Sequence, residues 1–261
     1  MAYGRSGREV AGLPREAFRP SAIFLGVVAL FVVTGVMAWR EFGNTRVDVF
    51  LFVAAGWVIS LCLHEYAHAV IAYRAGDRAV ADRGYLTLNP LKYAHPVLSI
   101  VLPLLFVLLG GIGLPGGAVW VDHHAVRSKL LDSLISFAGP ATNLVLTVVL
   151  LVPVWVADTG AHAPFWAGVA FLAFLQLTAS ILNFLPIPGI DGGNLIQPWL
   201  SPQWQRGFAH VAPFGLLIMM GLLWAPAFNH IFWSFVLTIG DVLGLPRDLV
   251  SQGFEIFRFW T

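Results

Sequence analysis

Only 11% of the 261 residues carry charge, and one cysteine, Cys62, is present. A typical soluble domain is about 25% charged, so this chain lacks the charge to clothe a water-facing surface. A lone cysteine excludes an intrachain disulfide and any metal site built from several thiolates. Basic residues form no block, and a net charge of +1 offers no handle for nucleic acid. The gaps between apolar runs are too short for a separate soluble domain, and neither an internal repeat nor a low-complexity linker interrupts them. The first apolar run follows a long stretch bearing Arg5, Arg8, Arg15 and Arg19 and lacks a small-residue cleavage site, so an anchor is expected there rather than a cleavable leader.

What the chain does have is hydrophobic length: 58% of its residues are hydrophobic. Apolar runs over 21–39, 47–74, 96–113, 131–157, 164–185, 207–224 and 227–245 reach or approach the ~20 residues a bilayer-crossing helix needs. The expected fold is an all-α polytopic membrane protein. Short cytoplasmic loops collect Lys and Arg. If 96–113 enters and leaves on one side, only Arg40 and Arg46 of the 15 Lys and Arg residues fall outside. The expectation is therefore about six crossings plus a re-entrant or half-buried hairpin, with both termini cytoplasmic. In domain terms this gives an N-terminal tail over 1–20, one membrane domain over 21–245 with its core at 47–200, and a C-terminal tail over 246–261.

Within the second run lies His64-Glu65-Tyr66-Ala67-His68. Residues four apart share one face of a helix, so both imidazoles can bind a single zinc ion, and Glu65 beside them can act as a base toward water. Ionisable groups are costly in lipid, which makes such a cluster a functional-site candidate by default. Two histidines leave a catalytic zinc one protein ligand short. Asp191 is the best candidate for the third. It follows Pro186 and Pro188, which break the helix, and precedes Gly192-Gly193, which permits a tight backbone path. The alternative is a turn aspartate at the membrane surface. A polytopic transporter or metal-handling protein using the same cluster as an ion site is the competing class.

Other polar residues in apolar runs have two readings each. Asn143, beside Ala138, Gly139 and Ala141, suits either helix packing or support of the active site. Gln176, Ser180 and Asn183 share one helical face, suited to interhelical bonding or to a polar wall leading water to the metal. Residues 116–121 read as a short strand whose edge, at Gly117, Ala118 and Val119, can accept an extended peptide by strand addition. His123-His124 are adjacent and so poor joint ligands. The tryptophans Trp39, Trp155, Trp199 and Trp224 fall near the ends of runs, as in aromatic belts.

Three segments resemble the site-2 proteases, a family of intramembrane zinc metalloproteases. They are His64-Glu65-x-x-His68, Gly139-Pro140 with Asn143, and Asn183-x-x-Pro186-x-Pro188-x-x-Asp191-Gly192. The resemblance spans about residues 50–196 and is to the minimal members, without a PDZ or CBS domain. It implies one Zn2+ per chain held by His64, His68 and Asp191, with Glu65 as catalytic base. It implies that Asn183 helps hold the scissile peptide. The expected substrate is a membrane protein with a single-span helix, and the excess of Arg over Lys, a mark of a GC-rich genome, gives the bacterial cytoplasmic membrane as the expected host. Similar sequences often carry Asp before the proline at position 96, where this chain has His95.

Overall fold

The computed structural model describes residues 18–93, 120–122 and 125–260. Helices account for the regular structure among them: α1 (Ala22–Arg40), α2 (Thr45–Ala75), α3 (Lys129–Val156), α4 (Ala163–Asn183), α5 (Asp191–Ile196), α6 (Pro202–Val211), α7 (Gly215–Trp224), α8 (Pro226–Val242) and α9 (Arg247–Phe257). Five helical segments among the described residues are long and apolar enough to cross a membrane, or six if the bent pair α8–α9 counts as one.

Local chemistry sets the helix boundaries. Ser21 caps α1 by accepting from the Phe24 amide. The Asn44 side chain accepts from Arg46 and Val47 at the start of α2, satisfying amides that have no partner inside the helix. At 31 residues α2 is about 46 Å long, well beyond the ~30 Å hydrocarbon layer. The loop after it is tied down by Asp77, whose carboxylate accepts from the amides of Ala79 and Asp122.

Helices α2 and α4 form the buried centre. One apolar core joins their early halves to α9 through Val49, Phe52, Trp57, Phe171, Leu172, Leu249 and Phe257. A second surrounds the late half of α2 through Cys62, Ala69, Ala72, Tyr85, Leu86 and Tyr93, with Ile135 from α3. A third gathers Leu182, Ile187 and Ile190 with Met219 of α7 and Phe232 and Val236 of α8. The outward positions of α1, α3 and α8 are apolar and exposed, among them Val32, Val36, Val145, Val149, Ile231 and Phe235. Outward apolar faces on helices of spanning length suit lipid as solvent, where the backbone bonds of a helix are satisfied internally.

The structure departs from the sequence reading at the C-terminus. Residues 247–257 form helix α9, with Leu249, Gly253 and Phe257 buried against α4 and α2, so this stretch is not a free tail. The described ends of the chain also lie at opposite ends of the bundle. The Phe18 ring sits 6.4 Å from that of Tyr73, and the Trp260 ring 6.1 Å from that of Phe50. Phe50 and Tyr73 are separated by about 35 Å along α2.

The expected span over 207–224 lies within one helical segment of spanning length, Pro202–Trp224, in which α6 and α7 are joined through a tighter 3-10 turn at Ala212–Phe214, where Pro213 withdraws a backbone donor. The run 96–113 lies outside the described residues. On its flanks, Tyr93 donates to the Cys62 carbonyl, and Trp120 stacks on Arg83 at 4.0 Å.

Candidate metal centre

Helix α2 buries His64, Glu65 and His68 about two-thirds of the way along its length. Nδ1 of His68 donates to the Ile135 carbonyl of α3 at 2.6 Å. A carbonyl can only accept, so the proton is fixed on Nδ1 and Nε2 keeps its lone pair toward the site. Nε2 of His68 and Nε2 of His64 are 3.0 Å apart.

Asp191 arrives from a different part of the chain. Helix α4 ends at Asn183, and the next residues turn tightly, with the Ile190 amide donating to the Ile187 carbonyl at 3.0 Å. Asp191 then opens α5. The two glycines after it are required by space. A Cβ at Gly192 would overlap the Phe184 and Leu185 carbonyls, and one at Gly193 the Ile187 carbonyl. The first turn of α5 thus lies directly on the proline-containing turn, and this close contact aims Asp191 back at α2.

The result is a compact triangle of donor atoms. Oδ2 of Asp191 lies 3.2 Å from His64 Nε2 and 3.3 Å from His68 Nε2. Two imidazole nitrogens and one carboxylate oxygen at mutual spacings of 3.0–3.3 Å fit one ion bound at about 2.0–2.2 Å from each. Among the described residues this is the cluster of ligating side chains that can hold a metal.

Helix α3 positions these parts, a role that sequence reading missed. Besides the Ile135 carbonyl, it offers Ser133, whose hydroxyl donates to the Leu195 carbonyl of α5 at 2.7 Å. Ser133 also accepts from the indole of Trp199 at 2.8 Å, so this tryptophan is partly a structural tie as well as an interfacial residue. Ser180 of α4 donates to the Pro140 carbonyl at 2.8 Å, which makes it a helix-to-helix tie rather than an open polar wall. Gln176, Asn143 and Asn183 are all buried in the bundle. No local motif announces Ser133 or the Ile135 carbonyl, because their partners lie more than 60 residues away.

The other expected positions are not joined to this site by the described residues. Gly117, Ala118 and Val119, together with His95, His123 and His124, lie outside them. Trp120 to Asp122 are described and are not strand.

Sequence comparison places the chain among zinc metalloproteases. The chain is 49% identical over 251 residues to the "Putative zinc metalloprotease Rip2" of Mycolicibacterium smegmatis, covering 95% of this chain and 96% of that protein. The chain belongs to the site-2 protease family. A Rip2 of Mycobacterium tuberculosis is 48% identical over 252 residues, with 95% of this chain and 96% of the relative covered. YwhC of Bacillus subtilis, under the same zinc metalloprotease description, is 28% identical over 205 residues, covering 76% of this chain and 88% of its own length. No family model matches the chain. No solved structure matches it either. This site-2 protease is thus a zinc metalloprotease, carried on apolar helices suited to a membrane.

Proposed function

We propose that the protein is an intramembrane zinc endopeptidase that hydrolyses peptide bonds within or near transmembrane segments of membrane proteins. The observation that carries this reading is the meeting of His64, His68 and Asp191 donor atoms within 3.3 Å of one another, inside helices of membrane-spanning length. In it, His64, His68 and Asp191 hold one zinc ion. Zinc bound there supplies Lewis-acid polarisation of the scissile carbonyl and lowers the pKa of water to about 7.

The chain's own residues do the remainder. Glu65 follows His64 directly and accepts the proton of the attacking water, then returns it to the leaving amine. The Ile135 carbonyl fixes His68 in the tautomer that presents Nε2. Asn183 closes α4 ahead of the Asp191 turn and helps hold the scissile peptide. A substrate helix hides its carbonyls in its own hydrogen bonds, so it must unwind before attack. The edge at Gly117, Ala118 and Val119 receives the unwound strand in this reading. Asn143 and Gly192 support the site from α3 and α5.

The metal end of α2 faces the cytoplasm in this reading. Arg74, Arg78, Arg83, Lys92, Arg127 and Lys129 flank that end, as the positive-inside rule favours. The C-terminal helix then lies toward the outer face, with the host membrane the bacterial cytoplasmic membrane.

The test uses the purified protein in detergent with tagged single-span membrane proteins. Cleavage by wild type that stops on zinc chelation and returns on zinc addition is the expected result. Cleavage that persists in the chelator, or in the Glu65→Gln variant, would overturn it.

A further inference from the structure

The two imidazoles of the metal centre lean against a residue with no side chain. Gly139 of α3 faces them across the α2–α3 interface, four residues after Ile135, whose carbonyl holds His68. A Cβ at position 139 would overlap Nε2 of His68 and stand 2.5 Å from Nε2 and 2.7 Å from Cε1 of His64. Both nitrogens offered to the metal are therefore touched by the same missing methyl group. Two other glycines at helix interfaces meet apolar side chains: Gly56 meets Leu172 and Phe31, and Gly168 meets Val49 and Phe52. Gly139 meets ligating atoms.

We infer that Gly139 is a positioning residue for the divalent cation, its bare Cα setting where the two imidazole edges can stand. The inference rests on the zinc reading above. His68 cannot retreat without giving up its 2.6 Å bond to the Ile135 carbonyl. His64 is buried and already 3.2 Å from Asp191. A methyl at 139 therefore turns the rings, opens the donor triangle and weakens the metal without requiring α2 and α3 to separate. The next residue, Pro140, holds the register of this contact through its carbonyl, which accepts from Ser180.

The experiment compares wild type, Gly139→Ala, His64→Ala/His68→Ala, and the last pair combined with Gly139→Ala. Each is purified in detergent, titrated with zinc, and melted free of metal. Wild type is expected to bind one zinc per chain. Gly139→Ala should keep its helical circular dichroism and bind zinc about 10–100-fold more weakly, the range seen when groups orienting metal ligands are lost. Once both imidazoles are gone, the same methyl should leave the unfolding midpoint unchanged. Zinc affinity equal to wild type in Gly139→Ala overturns the inference. So does an equal loss of melting temperature in both backgrounds, which assigns Gly139 to helix packing alone. Should Gly139→Ala fail to fold, the histidine-free pair of variants still decides between these. Absence of zinc from wild type would overturn the metal reading and this one together, whereas normal uptake by wild type and by Gly139→Ala overturns this one only.

Discussion

His64, Glu65, His68 and Asp191 have separable duties, and single substitutions distinguish them. Glu65→Gln removes a base while leaving the three donors in place. Zinc content by elemental analysis should equal that of wild type, while cleavage should fall by at least the ~100-fold a positioned general base contributes. Asp191→Ala removes a donor, so zinc content should drop well below one per chain and activity with it. Zinc retained by Asp191→Ala would mean that another residue completes the triangle. Of these roles, the histidine pair was legible from spacing alone, because i and i+4 share a face in any helix. Asp191 was legible as the best candidate carboxylate and through the Asn183-to-Gly192 motif that carries the family resemblance. The 122 residues between His68 and Asp191 say nothing about distance in space until the helices pack.

At the scale of elements, α3 carries the burden of alignment. Sequence reading marked it as a crossing helix with a packing motif. The structure adds that it grips α2 through Ile135, α5 through Ser133 and α4 through Pro140. Ser133→Ala strands the Leu195 carbonyl and the Trp199 indole at once. Leaving partly buried polar groups without partners costs about 1–3 kcal/mol. The variant should melt earlier, and zinc should bind more weakly because α5 carries Asp191. An unchanged zinc affinity would show that the turn over 184–190 holds Asp191 unaided. Gly192→Ala tests that turn directly. Its Cβ meets backbone carbonyls rather than flexible side-chain ends, so the start of α5 must move and zinc retention should be lost. None of these ties had a sequence signature, since serine in a membrane helix satisfies itself on a carbonyl one turn back as readily as on a neighbour.

For the molecule as a whole, the packed C-terminal helix is the main addition to the sequence reading. Phe257 is nearly fully buried, packed on Phe50 and Phe171 at ring separations of 5.1 and 5.4 Å. Phe257→Ala should cost roughly 2–3 kcal/mol by thermal or denaturant unfolding. That is less than the ~3–5 of a soluble core, because lipid tails partly replace the lost contacts. If α9 were a free tail, the cost would be near zero. Topology gives a second check. With Cys62→Ser as background, single cysteines at Phe18 and Trp260 should react with impermeant reagents from opposite sides of the membrane. Labelling from one side only would contradict the packing of Phe18 on Tyr73 and Trp260 on Phe50.

Composition determined the solvent: with so few charges and such long apolar runs, only lipid can face most of this surface. Local spacing determined the paired imidazoles and the adjacent base, because both follow from helix periodicity. Pro186, Pro188 and the glycine pair determined that the chain must turn before Asp191. Tertiary structure alone decided that the turn points at α2, that α3 clamps both ligand-bearing elements as well as α4, that Gly139 stands against the imidazole edges, and that the last helix folds back into the bundle. These are contacts between residues distant in sequence. Their energies depend on packing partners that no local pattern specifies.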